Sequence, residues 1–317
     1  MTSEAQRRAA RLSETPFQRA SASRPAVFGG FVRSVTELFQ QRELLSMLIR
    51  RELKARYKDS SLGFLWSLIR PFTLLLIYFI AIGQFLGAAR VIPDFAIFIF
   101  AGLTLWGLFS EIIVSGTSSI VTNAGLIKKV YLPREIFPLA AAGSSFVNFL
   151  IQFGILLAAV LVLGQFPLSW SLSYIPAAIL VASTYAIAIA ILLSALNVYL
   201  RDVQYLVEVA TLVLFWASPI VYSWSFVVAT AERLSMPWLE DLYLANPVSV
   251  TVIAFQRGIW LAGSEERTMD DGTIVPPQPW PDDLDLRLLI MLGIGLVFIV
   301  VAQRVFSRLQ GNFAQEI

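Results

Sequence analysis

The sequence predicts an all-α membrane protein: six transmembrane helices, an N-terminal amphipathic interface helix, and re-entrant outer helices between spans five and six. Three observations predict it. Of 317 residues, 57% are hydrophobic and only 15% charged, against about 25% charged in soluble domains. The apolar residues fall in blocks of about 20, the length that crosses a hydrocarbon layer as helix. The positive charges also sort to one side of those blocks. A soluble core this apolar would lack the polar surface to stay dissolved, which excludes a soluble enzyme and a disordered chain.

Residues 1–30 are polar, arginine-rich and broken by Pro16 and Pro25; they read as a mobile cytosolic tail with no cleavable signal peptide. Residues 31–60 carry the amphipathic interface helix. Residues 61–304 form the transmembrane domain, and 305–317 a second cytosolic tail. The six spans run over Leu62–Gly87, Phe95–Val121, Pro138–Leu163, Tyr174–Leu196, Tyr205–Trp224 and Leu286–Ala302. The third opens with the small run Ala140–Ser145, which lets a neighbouring helix approach closely. With this topology 19 of the Lys and Arg residues lie on one side and 5 on the other, so both termini are expected in the cytosol. The outer segment Ser225–Leu286 holds 10 acids against 3 arginines. Within it, Asn246–Ala262 is apolar with Pro247 as a first-turn residue, and its apolar stretch is too short to cross. That favours a re-entrant or interfacial helix, with Ser225–Met236 as a matching arm. Pro276, Pro277, Pro279 and Pro281 then stiffen the approach to span six.

Several absences bound the chemistry. There are no cysteines and no histidines, which removes thiolate chemistry, the commonest general base and the commonest transition-metal ligand. There is no P-loop, so the chain is not expected to hold ATP that way. A net charge of +2 gives no basic field for nucleic acid. Only Arg70 and Glu111 are charged well inside the spans, which argues against an ion-coupled carrier. Any transport must draw its energy elsewhere.

Four groups of residues could carry function. On Glu43–Lys58 the cations Arg50, Arg51, Lys54 and Lys58 fall within a 100° arc. They suit either anchoring to anionic lipid or a cationic lip that also receives a diphosphate headgroup. The connection Asn123–Pro138 carries Leu126, Ile127, Lys128, Lys129, Val130, Tyr131, Arg134 and Glu135. Topogenic charge is one reading; a docking helix for a cytosolic partner better explains exposed apolar residues there. The aromatics Phe72, Tyr78, Phe79, Phe85, Trp106, Phe109, Trp216 and Tyr222 read either as lipid belt and helix packing or as rings lining a pore and stacking on sugar faces. Glu111 is either a functional intramembrane carboxylate or a near-interface one solvated by Ser110 and Ser115. Arg70 can snorkel or bind substrate.

Four segments, in order and at matching topological positions, carry a resemblance: Arg56–Pro71 (RYKDSSLGFLWSLIRP), Asn123–Pro138 (NAGLIKKVYLPREIFP), Leu196–Tyr222 (LNVYLRDVQYLVEVATLVLFWASPIVY) and Asn246–Arg257 (NPVSVTVIAFQR). The chain resembles the transmembrane subunit of ABC-2-type polysaccharide exporters, which move O-antigen, teichoic acid or cell-wall galactan across the bacterial plasma membrane. Arg70 departs from the pattern, which often has a neutral residue before that proline. The resemblance implies a homodimer around a channel, with two nucleotide-binding ATPase subunits that supply the ATP and Mg chemistry. Each would dock through Asn123–Phe137 and through the turn holding Arg201 and Asp202. It implies a polyprenyl-diphosphate-linked glycan as cargo and no catalytic residue, cofactor or metal in this chain. The two arms after Trp224 would form an outer gate with Asn246, Pro247, Val252, Phe255 and Trp260, closing against spans one and five of the dimer. Two alternatives stand beside it. One is an ABC-2 permease for a drug or small lipid. The other is a membrane-embedded glycosyltransferase, for which Asp282, Asp283 and Asp285 form the only acidic cluster near a span end.

Overall fold

A computed structural model describes residues 41–57, 65–129, 132–164, 169–268 and 274–316. The 1–30 tail, the first part of the 31–60 segment, Lys58, Val130, Tyr131 and the side chain of Arg70 lie outside the described residues.

The described chain is helical. Helix α1 spans Arg42–Tyr57 and α2 spans Trp66–Tyr78, continued by a π-helical stretch over Phe79–Phe85. The long helices are α3 (Phe95–Thr122), α4 (Ile136–Val162) and α5 (Tyr174–Tyr199). Then come α6 (Val203–Trp216), α7 (Trp224–Leu234), α8 (Trp238–Leu244), α9 (Pro247–Ile259), α10 (Leu284–Leu309) and the final turn α11 (Phe313–Glu316). A two-residue antiparallel pairing joins Arg267–Thr268 to Ile274–Val275. Four helical stretches, built on α3, α4, α5 and α10, are long and apolar enough to cross a membrane; Pro71–Phe85 and Val203–Trp216 are apolar but shorter.

Local chemistry sets several of these boundaries. Pro138 sits in the first turn of α4 and Pro247 opens α9, where no intrahelical donor is needed. Asn246 caps α9 by accepting from the Val248 amide at 3.0 Å. Ser235, with φ at 52°, ends α7 in the left-handed region. The fifth apolar stretch stops at Trp216, not at the expected Trp224. Pro219 explains this, since it lacks a donor and pushes Ser218 out of helical geometry. The last long helix runs on to Leu309, so residues 305–309 are helix and not tail.

Two apolar clusters hold the bundle. The larger joins α3, α4, α5 and α9 around Phe98, Phe149, Phe255, Ile259 and Trp260. The smaller joins α1, α3, α4, α5, α10 and α11 through Leu48, Ile120, Phe137, Ile191, Phe306 and Phe313. Along the α3–α5 seam, Gly116 faces Ala190; a Cβ there would stand 2.5 Å from the alanine methyl. Such close approach is how membrane helices gain packing energy, because hydrocarbon supplies no hydrophobic drive between them. The end of the bundle bearing Arg50, Lys128 and Arg201 is called the basic end below. The end bearing Glu232, Glu240 and Asp283 is the acidic end.

Candidate functional site

At the basic end, α1 lies across α4. Leu48 is buried, and Ile49 rests on Gly143, where an added Cβ would meet the Ile49 Cδ1 at 2.5 Å. The small run Ala140–Ser145 therefore does receive a close neighbour, and that neighbour is the amphipathic helix. Arg50, Arg51 and Lys54 are exposed. The Arg51 guanidinium also donates to the Asn123 Oδ1, tying α1 to the end of α3.

The connection after α3 makes one helical turn over Ala124–Ile127. Lys128 and Lys129 are exposed, as are Arg201 and Asp202 between α5 and α6. The apolar residues of this connection depart from expectation. Ile127 is buried in the smaller cluster and Leu126 packs against it, so neither is a free knob. A short connection over a bundle end must satisfy the bundle first, and Ile127 plugs the gap between Leu48 and Phe137. Glu135 is likewise buried. Arg134 turns inward, its guanidinium 5.5 Å from the centroid of the Phe313 ring.

Midway along the bundle, part of the predicted aromatic set converges. Tyr78 of α2 and Trp106 of α3 stand 5.9 and 5.6 Å from Phe215 of α6. Trp216 lies 5.4 Å from the same ring. The sequence reading did not place Phe215 among the lining candidates, although it is the hub. Phe109 is 2% exposed and belongs to the core, so it lines nothing. Phe72 pairs with Phe100 and Phe79 with Phe95, both as packing contacts between α2 and α3. Phe85 is exposed at the end of its helix. Tyr222 donates to the Trp216 carbonyl at 2.9 Å, closing the turn after α6. Beside this cluster α6 presents Leu206, Val209, Leu212 and Val213 outward as an apolar face.

Glu111 is partly exposed on α3, and Asn148 of α4 donates to its Oε1 at 3.0 Å. The expected solvation by serines does not form. Ser110 donates to the Trp106 carbonyl and Ser115 to the Glu111 backbone carbonyl, as serines in helices commonly do. Asn148 is visible in the sequence as a polar break in an apolar span, but only helix pairing reveals its partner.

At the acidic end, α9 is an interior element. Val252 and Phe255 are 1% and 0% exposed. The Phe255 ring sits 6.4 Å from Phe149 and 5.7 Å from Phe153, both on α4. Gly102 and Gly258 allow the fit: a Cβ at Gly102 would stand 2.6 Å from the Ile220 carbonyl, and one at Gly258 2.7 Å from Ile175. The Trp260 indole donates to the Pro93 carbonyl at 2.8 Å, and Asn246 donates to the Ser218 hydroxyl at 2.9 Å. The expectation that this arm closes on spans one and five of a dimer is thus corrected: it is buried on α3, α4 and α5 of its own chain. Trp224 and Trp260 are interior as well and mark no exposed interface. Exposed apolar residues at this end include Phe226 and Leu234 of α7 and Trp238 and Leu242 of α8.

Arg287 reaches Asp283 at 2.7 Å and Asp241 at 3.2 Å, fastening α10 to α8. The hydrogen bond from Arg287 holds the Asp283 carboxyl below the usual carboxylate range. Among the described residues no three acidic side chains gather as a metal site would require.

The helical bundle, with four helices long and apolar enough to cross a membrane, a basic end and an acidic end, is that of a multi-pass membrane protein. The chain belongs to the ABC-2 type transporter family, which it matches over residues 43–260. This family supplies the membrane subunits of ABC transporters, with ATP hydrolysis in a partner subunit. Among curated relatives, the O-antigen export system permease protein RfbA of Myxococcus xanthus is 29% identical over 90% of this chain and 100% of its own length. Two Klebsiella pneumoniae proteins of the same name are 32% and 26% identical, each over 86% of this chain and 94% of theirs.

Proposed function

We propose that this chain is the membrane-spanning subunit of an ATP-driven exporter of a polyprenyl-diphosphate-linked polysaccharide, of the O-antigen, teichoic-acid or cell-wall galactan type. The observation that carries it is similarity to O-antigen export permeases across 86–90% of the chain. The geometry agrees. A carbohydrate polymer is gripped by ring faces without demanding one sugar, and Tyr78, Trp106 and Trp216, ranged around the buried Phe215, supply such rings between α2, α3 and α6. In this reading α2 and α6 complete six spans, two copies pair, and the basic end faces the cytosol of a bacterial inner membrane. Lys128, Lys129, Arg201 and Asp202 form the exposed part of the contact with each ATPase subunit, which brings ATP and Mg. Arg50, Arg51 and Lys54 attract the diphosphate as it enters, with about 1 kcal/mol from each cation near an anionic surface. The outer gate is the surface pair α7–α8, hinged at Asn246–Pro247 on the fixed α9.

Reconstitution with its ATPase subunits tests this. ATP hydrolysis should rise with a lipid-diphosphate-linked glycan and not with a drug or a short-chain lipid. Stimulation by the small molecules alone would favour the drug or small-lipid permease. Glycosyl transfer without any ATPase subunit would favour the transferase.

A further inference from the structure

The end of the chain is not a loose tail. Phe313 is 0% exposed, as is Phe306 on α10. The two rings meet edge to face at 5.5 Å, and Tyr199, the last residue of α5, lies 6.1 Å from Phe313. The Tyr199 hydroxyl donates to the Leu309 carbonyl at 2.6 Å, which satisfies an acceptor at the end of α10. On the other side of Phe313 stands Arg134, 5.5 Å from the ring centroid. Arg134 precedes α4 and ends the connection that begins at Asn123. One aromatic side chain thus touches the end of α5, the end of α10 and the exposed connection between α3 and α4. The first and the last of these three adjoin the two segments, around Arg201–Asp202 and Lys128–Lys129, that the proposed function assigns to ATPase docking.

We propose that the C-terminal segment Leu309–Glu316 is a clasp, in which Phe313 and Arg134 act as positioning residues that hold the two docking segments in fixed register. The connection between α3 and α4 contains one four-residue helical turn. The turn Ala124–Ile127 is too short to be stable by itself, so its orientation must come from tertiary contacts. Ile127, the last residue of the turn, anchors the first part of the connection in the smaller cluster. Arg134 on Phe313 anchors its finish, and a guanidinium over an aromatic face is a directional contact that an aliphatic plug is not. Because Phe313 also bears on Tyr199, a push on either docking segment reaches the other through one ring. The mechanical meaning of the clasp rests on the export reading; its structure does not.

The chain has no native cysteine, so a nitroxide can be placed at Lys129→Cys in the full-length protein in lipid nanodiscs, with Arg233→Cys at the opposite end as control. Phe313→Ala should mobilise the label at position 129 and leave the one at 233 unchanged. Arg134→Gln, which leaves the cluster filled, should raise the mobile fraction at 129 roughly two- to five-fold, the change a cation–π contact implies. An unchanged spectrum at 129 in both variants overturns the clasp. So does equal mobilisation at both ends, which would make Phe313 a general staple of the fold. With ATPase subunits bound, Arg134→Gln should lower glycan exported per ATP hydrolysed, and an unaltered ratio overturns the register claim. If the unaltered protein exports no glycan, the proposed function fails while the nitroxide result still decides the clasp.

Discussion

A cysteine at Val252 on α9 should be almost inaccessible to a membrane-impermeant maleimide, and Phe255→Ala should make it accessible. Val252 is 1% exposed, so labelling requires α9 to leave its seat. Three contacts hold it there: the Phe255 ring against Phe149 and Phe153, the Trp260 indole on Pro93, and Asn246 on Ser218. Removing a core phenylalanine costs about 3–5 kcal/mol in soluble proteins. Within a membrane the transfer part of that cost falls away, because hydrocarbon and not water is the alternative surrounding. About 2 kcal/mol of lost packing remains as the working figure. At 1.4 kcal/mol per factor of ten, the unseated population rises about 30-fold. Where reseating is faster than labelling, the labelling rate follows that population. The assay compares Val252→Cys with Arg233→Cys, which is exposed, in the same vesicles. The buried site should label at least about 100-fold more slowly, as a seat worth more than 2.8 kcal/mol requires. Equal rates at the two sites would refute the interior placement of α9. An unchanged rate in Val252→Cys/Phe255→Ala would refute the role of the phenylalanine cluster.

Other outcomes follow from single contacts. Glu111→Leu leaves the Asn148 amide without its 3.0 Å acceptor and should destabilise by about 1–3 kcal/mol; in detergent, Glu111→Leu/Asn148→Leu should melt higher than Glu111→Leu alone. Gly143→Val drives into Ile49 and should cost about 1–3 kcal/mol by overpacking, read as faster tryptic cleavage at Arg50–Arg51 and reversed by Ile49→Ala. The Asp283 carboxyl is held low by Arg287, so its stabilising contribution is present above the unfolded pKa, about 4. That contribution is lost as pH falls through the lower, folded pKa. Asp283→Asn should flatten the fall in melting temperature below about pH 4 and leave the neutral-pH slope unchanged.

The four long helices were legible because an apolar run of crossing length has few other uses in a chain. Their ends lie within a few residues of expectation except at the end of α10, which runs on from Ala302 to Leu309. Pro219 was in plain view after Trp216, yet an apolar count passes over it, and the fifth stretch was read eight residues too long. The burial of α9 was harder. Lipid and protein interior select the same side chains, so Val252 and Phe255 could not say which of the two surrounds them. Gly102 and Gly258 were the signal, since each marks a place where two backbones nearly touch, but a glycine alone does not name its neighbour. The exposure of the α3–α4 connection was hidden for a related reason. Ile127 and Lys128 are adjacent in sequence and opposite in exposure, and only the space beneath the turn decides which one fills it. Aromatic content left lipid belt, helix packing and pore lining open alike. It could not separate Phe109, which is sealed in, from Trp216, which is half outside.

The two apolar clusters have no buried residue in common and are tied together by continuous helices and by Ile187 and Phe298, which pack against both. Rigid rods crossing a boundary pass on displacement while the side chains on either side of it repack separately. Changes around Phe255 and changes around Phe306 should therefore add in free energy, as distant sites do, even though a tilt of α5 moves both. For a lineage of such chains this is a freedom. The surroundings of Trp260 can drift while the packing of Leu48, Phe137 and Phe313 keeps its shape.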